Sequence, residues 1–362
     1  MNLYICSTQR HLLLSLCKAY MDKVESHIIL FTDYQELDTN KFSTDSLPEN
    51  IKVYFAERKQ FKKQLNNSLW GKIALILSNQ NFNCTSNIKL HLKNFISSKI
   101  DSPINTDFDK LFVFNERNKM SRLFRLIFTE YNMIEDGVGN YLKISVPTLK
   151  KPFRALKNLP VSYWVFGEDR NCKCIYALNP EQLPDLVVNK GKKIDFINKN
   201  IDYNFLLKLF KVENNIEDLD FILATQPRSK RWLPNLKDED LYLKVYEKII
   251  NHKFTNRKMA IKPHPSEDLK LYTCRFSKIN ILPTDIPLEL FLLASKSKVR
   301  VISLNSTAGK GFEDYCDRST MFADGDMEGF VRVISKWDDE PTLIEQDIDY
   351  FLSNFKPLVY SV

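Results

Sequence analysis

The chain has 362 residues, enough for two domains that each bury a core. Apolar residues at 44% and charged residues at 27% give the balance of an ordinary soluble globular protein, which excludes a disordered or low-complexity chain. The formal charge of +7 suits an anionic partner, but the positive residues are spread along the chain and no aromatic-basic module marks a nucleic-acid binder. The denser groups are Lys150, Lys151, Arg154 and Lys157, then Lys190, Lys192 and Lys193, then Arg228, Lys230 and Arg231. They read as solvated faces, or as contacts to an anionic acceptor or membrane surface. Seven cysteines in no zinc-like spacing point to a reduced, cytoplasmic protein; Cys172 and Cys174 form a lone C-x-C without further ligands nearby. Leu3–Cys6 is too short for a signal peptide, and no run of about 20 apolar residues spans a membrane.

The opening reads as a strand at Leu3–Cys6, a capping turn at Ser7, Thr8 and Gln9, and a helix from Leu12 to Tyr20. Strands are predicted at His27–Phe31 and 52–55, helical material over 68–97, and strands at Leu111–Phe114 and Tyr131–Ile134. The last of these ends on Glu135, Asp136 and Gly137. Residues 141–200, rich in Pro, Lys and Asn, read as a domain junction. Alternation then restarts with strands at Phe221–Ala224, Met259–Ile261, Ile279–Leu282, Val299–Leu304 and Thr320–Phe322. Between them fall helices at Asp238–Asn251, 266–273, Leu288–Ser295 and Gly311–Cys316. Strands alternating with helices make parallel sheets with crossovers, so the class is α/β with two Rossmann-like domains, 1–190 and 191–362, facing across a cleft.

Ligands of such sheets bind beyond the carboxyl ends of the strands. Three polar clusters stand there: Glu135-Asp136-Gly137, Lys262-Pro263-His264-Pro265 and Asn305-Ser306-Thr307. A carboxylate before Gly lies on a turn where positive φ can expose it, although a plain turn looks the same. Two prolines stiffen His264, which on its own is more often an ordinary surface histidine. Ser306 and Thr307 could hold a phosphate with hydroxyls and the N–H groups of a helix start, or simply cap that helix. Asp-x-Asp triplets occur at 107–109, 218–220, 238–240, 324–326 and 347–349, too many for any one to be singled out as a metal site.

An acid-Asp-Gly, a His-Pro and a Ser/Thr pair, in this order and each at a strand end, resemble bacterial sialyltransferases. The match is to glycosyltransferase family 52, whose members sialylate lipooligosaccharide, and the polysialyltransferases share the motifs. Thr225-Gln226-Pro227 and Ile286-Pro287-Leu288-Glu289 support the resemblance. It implies a GT-B fold with the nucleotide held mainly by the second domain, and a CMP-activated sugar as donor. It implies Asp136 as general base and His264 as acid. Asp240 is the alternative base, because family 52 enzymes use an acid upstream of the His-Pro motif. Lys262, Pro265, Glu289, Asn305, Ser306 and Thr307 fall on the donor side, and Thr8, Gln9, Glu135 and Gly137 on the acceptor side. Attack opposite CMP inverts the anomeric centre. One phosphate needs no metal, and Asp324-Gly325-Asp326 would be the place for one; no cofactor is expected. The acceptor would be a glycan met at the inner membrane, by peripheral contact, with oligomeric state open and a homodimer allowed. A CDP-glycerol glycerophosphotransferase is the rival reading; it calls for a further histidine, and His11 and His91 sit in helical contexts without a matching motif.

Overall fold

The computed structural model describes residues 1–80, 85–105, 109–156, 158–198, 201–212, 219–227, 233–252, 258–323 and 326–358. Asp107, Lys157, Asp218, Arg228, Lys230, Arg231, Asp324 and Gly325, singled out above, lie outside the described residues. Two compact units follow one another, Met1–Lys211 and Val212–Val362.

The first unit opens with β1 (Asn2–Cys6), α1 (Gln9–Asp22), β2 (Ser26–Phe31) and β3 (Ile51–Ala56). The stretch read as helical resolves into α2 (Arg58–Leu65), α3 (Leu69–Gln80) and α4 (Ser86–Ile100). Then come β4 (Lys110–Val113), α5 (Lys119–Arg125), β5 (Tyr131–Ile134), β6 (Ile144–Ser145), α6 (Lys151–Ala155), β7 (Tyr163–Trp164), β8 (Cys172–Ala177), β9 (Gly191–Lys193) and α7 (Asn204–Leu209). Seven strands form one parallel sheet in the order β3-β2-β1-β4-β5-β8-β9, and β6 and β7 pair separately. All of β1 is buried, which is why it reads as an unbroken apolar run rather than an alternation.

Two expectations change here. The presumed junction contains β8, which pairs with β5 inside the main sheet. The boundary also moves from 190 to 211, because the segment after 190 packs on the first unit. β9 pairs with β8, the Ser43 N–H donates to the Leu209 carbonyl (2.8 Å), and Phe205 stacks on Tyr20 (5.0 Å between centroids). Buried Leu206 and Leu209 give α7 its inner side.

The second unit runs β10 (Phe221–Ala224), α8 (Leu241–Asn251), β11 (Met259–Lys262), α9 (Leu269–Arg275), β12 (Asn280–Ile281), α10 (Leu288–Ala294), β13 (Val299–Ser303), β14 (Cys316–Thr320), α11 (Met327–Asp339) and α12 (Leu343–Asn354). Its five strands are parallel in the order β12-β11-β10-β13-β14. No helix forms over 311–316. Gly309 and Gly311 take φ of +74° and +87°, left-handed values that break a helix, and the last strand starts earlier, at Cys316. α11 buries Phe330, Val333, Ile334 and Trp337 in the core, a helical period not read from the sequence, and the Trp337 indole N–H donates to Asp347 of α12 (2.7 Å).

Candidate active site

In the first unit strand order reverses between β1 and β4, so the crevice lies beyond the ends of β1, β4 and β5. Thr8 caps α1: its Oγ1 accepts the His11 N–H at 3.1 Å. Gln9 is buried, its N–H donating to Gln35 Oε1 (3.0 Å). These two acceptor-side candidates therefore shape the turn. The turn in its own right aims His11, whose ring stacks on Phe114 at 4.0 Å and 3°.

His11 is the site residue that sequence reasoning missed. Its Nε2 lies 2.5 Å from Asp136 Oδ1, and its Nδ1 receives the Ser7 N–H at 3.3 Å with Ser7 Oγ at 3.2 Å. A nitrogen that accepts an N–H carries no proton of its own. The network therefore assigns the neutral tautomer with the proton on Nε2, donated to an ionised Asp136. Asn115 donates to the other oxygen at 3.4 Å. Burial pushes the Asp136 pKa up, but the bonds from His11 and Asn115 and the Arg10 charge outweigh it and hold the carboxyl below its usual value. The Asp136 side chain is 34% exposed while that of His11 is 4% exposed, so the carboxylate is the member of the pair open to a ligand.

Gly137 follows with φ 137° and ψ −155°, a conformation essentially confined to glycine, as the acid-before-glycine pattern requires. Glu135 points the other way. It is buried, accepting Tyr141 Oη and the Leu178 N–H (2.8 Å), and fixes the end of β5. Asn140 accepts the Asp136 N–H (2.9 Å), and its own amide nitrogen, buried, has no partner among the described residues.

In the second unit the reversal falls between β10 and β13. Gln226 at the end of β10 accepts the Asn305 N–H (3.0 Å), joining two of the motifs. The His-Pro loop is tied by a residue not anticipated, Glu267. Its carboxylate accepts the His264 N–H (2.9 Å), Tyr272 Oη (2.7 Å) and the Thr225 hydroxyl. His264 is exposed, and its Nδ1 takes the Ser266 N–H (3.2 Å) and lies 2.8 Å from Ser266 Oγ, leaving the proton on Nε2. Burial lowers its pKa, Glu267 opposes this and the Lys262 charge adds to it. Pro265 beside it is exposed.

Lys262 and Asp240 stand differently from expectation. Lys262 is buried, and its ammonium donates to the carbonyls of Pro263 (3.2 Å), Pro283 (2.8 Å) and Thr284 (3.3 Å). All three protons are thus engaged and none is left for a donor phosphate. Burial lowers its pKa to about 8 against the charges of Glu289 and Asp285. Glu289 is buried in the first turn of α10. Asp240 occupies the cap position of α8 without a capping bond, and its exposed carboxylate faces Arg275 at 3.7 Å.

The Asn305–Gly309 loop does not open a helix, so no helix-start N–H groups serve a phosphate there. Arg318 instead draws the carbonyls of Ser306 (2.9 Å) and Ala308 (3.0 Å) to one side. Ser306 Oγ accepts the Ala308 N–H (3.2 Å), which leaves its hydroxyl proton to donate, and half-buried Thr307 adds a second hydroxyl. Asn305 Nδ2 lies 3.4 Å from Met327 Sδ. Among the described residues no group of three or more His, Cys, Asp or Glu side chains could hold a metal ion.

Two Rossmann-like units with polar clusters at the ends of parallel strands are the fold on which GT-B glycosyltransferases are built. The sequence profile of glycosyltransferase family 52 matches residues 45–312, and the chain belongs to that family. An uncharacterized protein of Haemophilus influenzae is 31% identical over 186 residues, 49% of this chain and 57% of that protein's length. An α/β-galactoside α-2,3-sialyltransferase of Photobacterium phosphoreum shares the fold over 96% of this chain and 95% of its own, with TM-score 0.52 and 11% identity. A sialyltransferase of Photobacterium damselae is similar over 85% of this chain and 87% of its own (TM-score 0.47, 13% identity).

Proposed function

We propose that this chain transfers sialic acid, or a related nonulosonic acid, from a CMP-activated donor to a terminal sugar of a lipooligosaccharide or capsule glycan. The observation that carries the reading is the Asp136 carboxylate, ionised and open on one side while His11 holds it from the other. An acceptor hydroxyl attacking an anomeric carbon must lose its proton, and Asp136 would take it. Departing CMP gains from a proton or donor at its phosphate. His264 supplies it from Nε2, with the Ser306 and Thr307 hydroxyls as further donors and Glu289 toward the ribose. Asn140 beside Asp136 offers a buried donor to the acceptor sugar, since leaving it unpaired costs about 1–3 kcal/mol. Attack opposite CMP inverts the anomeric centre, and a single phosphate is held without a metal. The fold shared with the α-2,3-sialyltransferase supports sialyl transfer. The enzyme would act in the cytoplasm at the face of the inner membrane, without nucleic acid.

His11 also favours a second reading, glycerophosphate transfer from CDP-glycerol, because that chemistry calls for a histidine besides the His-Pro one. Both reactions release CMP, so stabilisation by CMP over UDP and GDP in a thermal-shift screen establishes only the cytidylate class. Direct assay separates them. Transfer of labelled sialic acid from CMP-sialic acid to a galactose-terminated acceptor is expected, and transfer only from CDP-glycerol would replace the first reading by the second.

A further inference from the structure

The charge of the molecule is laid down unevenly. Between residues 58 and 100 the chain has eight Lys and Arg residues and no Asp or Glu, against +7 for the whole; subtracting +8 from +7 leaves −1 for all the rest. This stretch is the α2–α3–α4 layer that carries the chain from β3 to β4. Its inner side joins the core through Phe61, Leu65, Ala74, Ile88, Leu92 and Ile96. Its outer side is not simply polar. Leu69 is 69%, Trp70 40%, Ile76 62% and Leu90 58% exposed, among exposed Lys59, Lys63 and Lys72.

Among the described residues Arg58 alone of the eight cations has a carboxylate partner, Asp33 at 3.4 Å. Nearby Lys62 has its pKa lowered first by burial and then by the Lys119 and Arg58 charges, against the opposing charge of Asp33. The surface is also preformed. Ser68 Oγ lies 2.8 Å from His91 Nε2 of α4, and Gly71 sits so near the end of α2 that a Cβ would come within 2.0 Å of the Leu65 carbonyl oxygen.

We propose that the α2–α4 layer is a docking face for an anionic lipid surface. Headgroups would neutralise the lysines while Trp70 and the exposed Leu and Ile side chains enter the interfacial zone. Other occupants reward only half of the pattern. A nucleic acid would take the charge but leave Leu69, Ile76 and Leu90 in water. A second copy meeting the same face about a two-fold axis would set eight cations against eight. The inference deepens the reading in which the acceptor is carried by a lipid, but its test uses neither donor nor acceptor, so either can fail alone.

The test is co-sedimentation of the full chain with vesicles of phosphatidylcholine alone or of phosphatidylcholine and phosphatidylglycerol in equal parts. Binding is expected to the anionic vesicles only, with a blue shift of tryptophan emission that Trp70→Phe removes. Lys59→Glu, Lys63→Glu and Lys72→Glu together should weaken it by about 100-fold or more. Leu69→Ser with Ile76→Ser should weaken it by about tenfold or more at unchanged charge. All five positions are exposed, and unchanged melting of each variant confirms that its fold is intact. Failure of the wild type to sediment with anionic vesicles, or sedimentation indifferent to both sets of changes, overturns the proposal. So does binding to duplex oligonucleotide that displaces the vesicles and survives the apolar changes. A dimer seen by light scattering and dissolved by Ile76→Ser would give the face to self-association instead.

Discussion

At Asp136 burial and hydrogen bonding pull in opposite directions, and the bonds prevail. His11 is the strongest of these bonds, so its removal has a definite sign. In His11→Ala the Asp136 pKa rises, and the carboxylate is protonated at pH values where the wild type keeps it charged. The acid limb of kcat/KM should therefore move to higher pH, with activity at about pH 5–6 falling more than at about pH 8. His11→Gln, which can still offer an N–H to Oδ1, should recover part of the loss; an unshifted limb in His11→Ala would reduce His11 to packing. The bases separate in the same assay. Asp136→Asn and His264→Ala should each cost roughly 10²- to 10⁴-fold in turnover with CMP binding kept. Asp240→Asn should stay near wild type, because among the described residues its exposed carboxylate meets Arg275 alone. An inactive Asp240→Asn beside an active Asp136→Asn would move the base to the second unit.

At the scale of elements, the His-Pro loop is only as fixed as Glu267, which gathers donors from three places at once. Glu267→Ala should lower the melting temperature, since each stranded buried donor costs about 1–3 kcal/mol. It should also reduce turnover more than CMP affinity, because the Ser306 loop proposed to hold the phosphate hangs on Arg318 instead. Calorimetry and kinetics on this variant check both.

Strands buried on both faces were legible as apolar runs, and so was the role of Gly137, because acid before glycine at a strand end leaves few conformations. The part that stayed hidden has physical causes. β8 lies in a Pro- and Lys-rich stretch, and exposed Lys173 between buried Cys172 and Cys174 breaks the apolar run that would mark a strand. The partner of His11 lies 125 residues away, and only the Ser7-Thr8 cap hinted that its ring was held. Lys262 beside a motif looks like a ligand until burial shows its ammonium bound to carbonyls. The basic layer stands out by its complete lack of acids, because its Lys and Arg residues are spaced along three helices and form no long run.

For the molecule as a whole, the two units divide the labour proposed here, the base in one and the nucleotide in the other. A single phosphate met by His264, Ser306 and Thr307 asks for no cation, so transfer should persist in excess EDTA. An absolute requirement for added Mg²⁺ or Mn²⁺ would count against the CMP-donor reading and turn attention to Asp326 and its neighbours.

β9 has a consequence for handling the protein. It is three residues long, ends the seven-stranded sheet and carries exposed Lys192 and Lys193. A short, lysine-bearing rim of this kind repels strand addition from another molecule. A chain cut after residue 190 would bare β8, whose six residues include buried Cys172, Cys174, Ile175 and Ala177, as an unguarded template. Such a fragment should precipitate or form cross-β aggregates that bind amyloid dyes, while one ending at Lys211 keeps its rim and stays dispersed. The stretch that reads as a linker thus acts as the hem of the sheet.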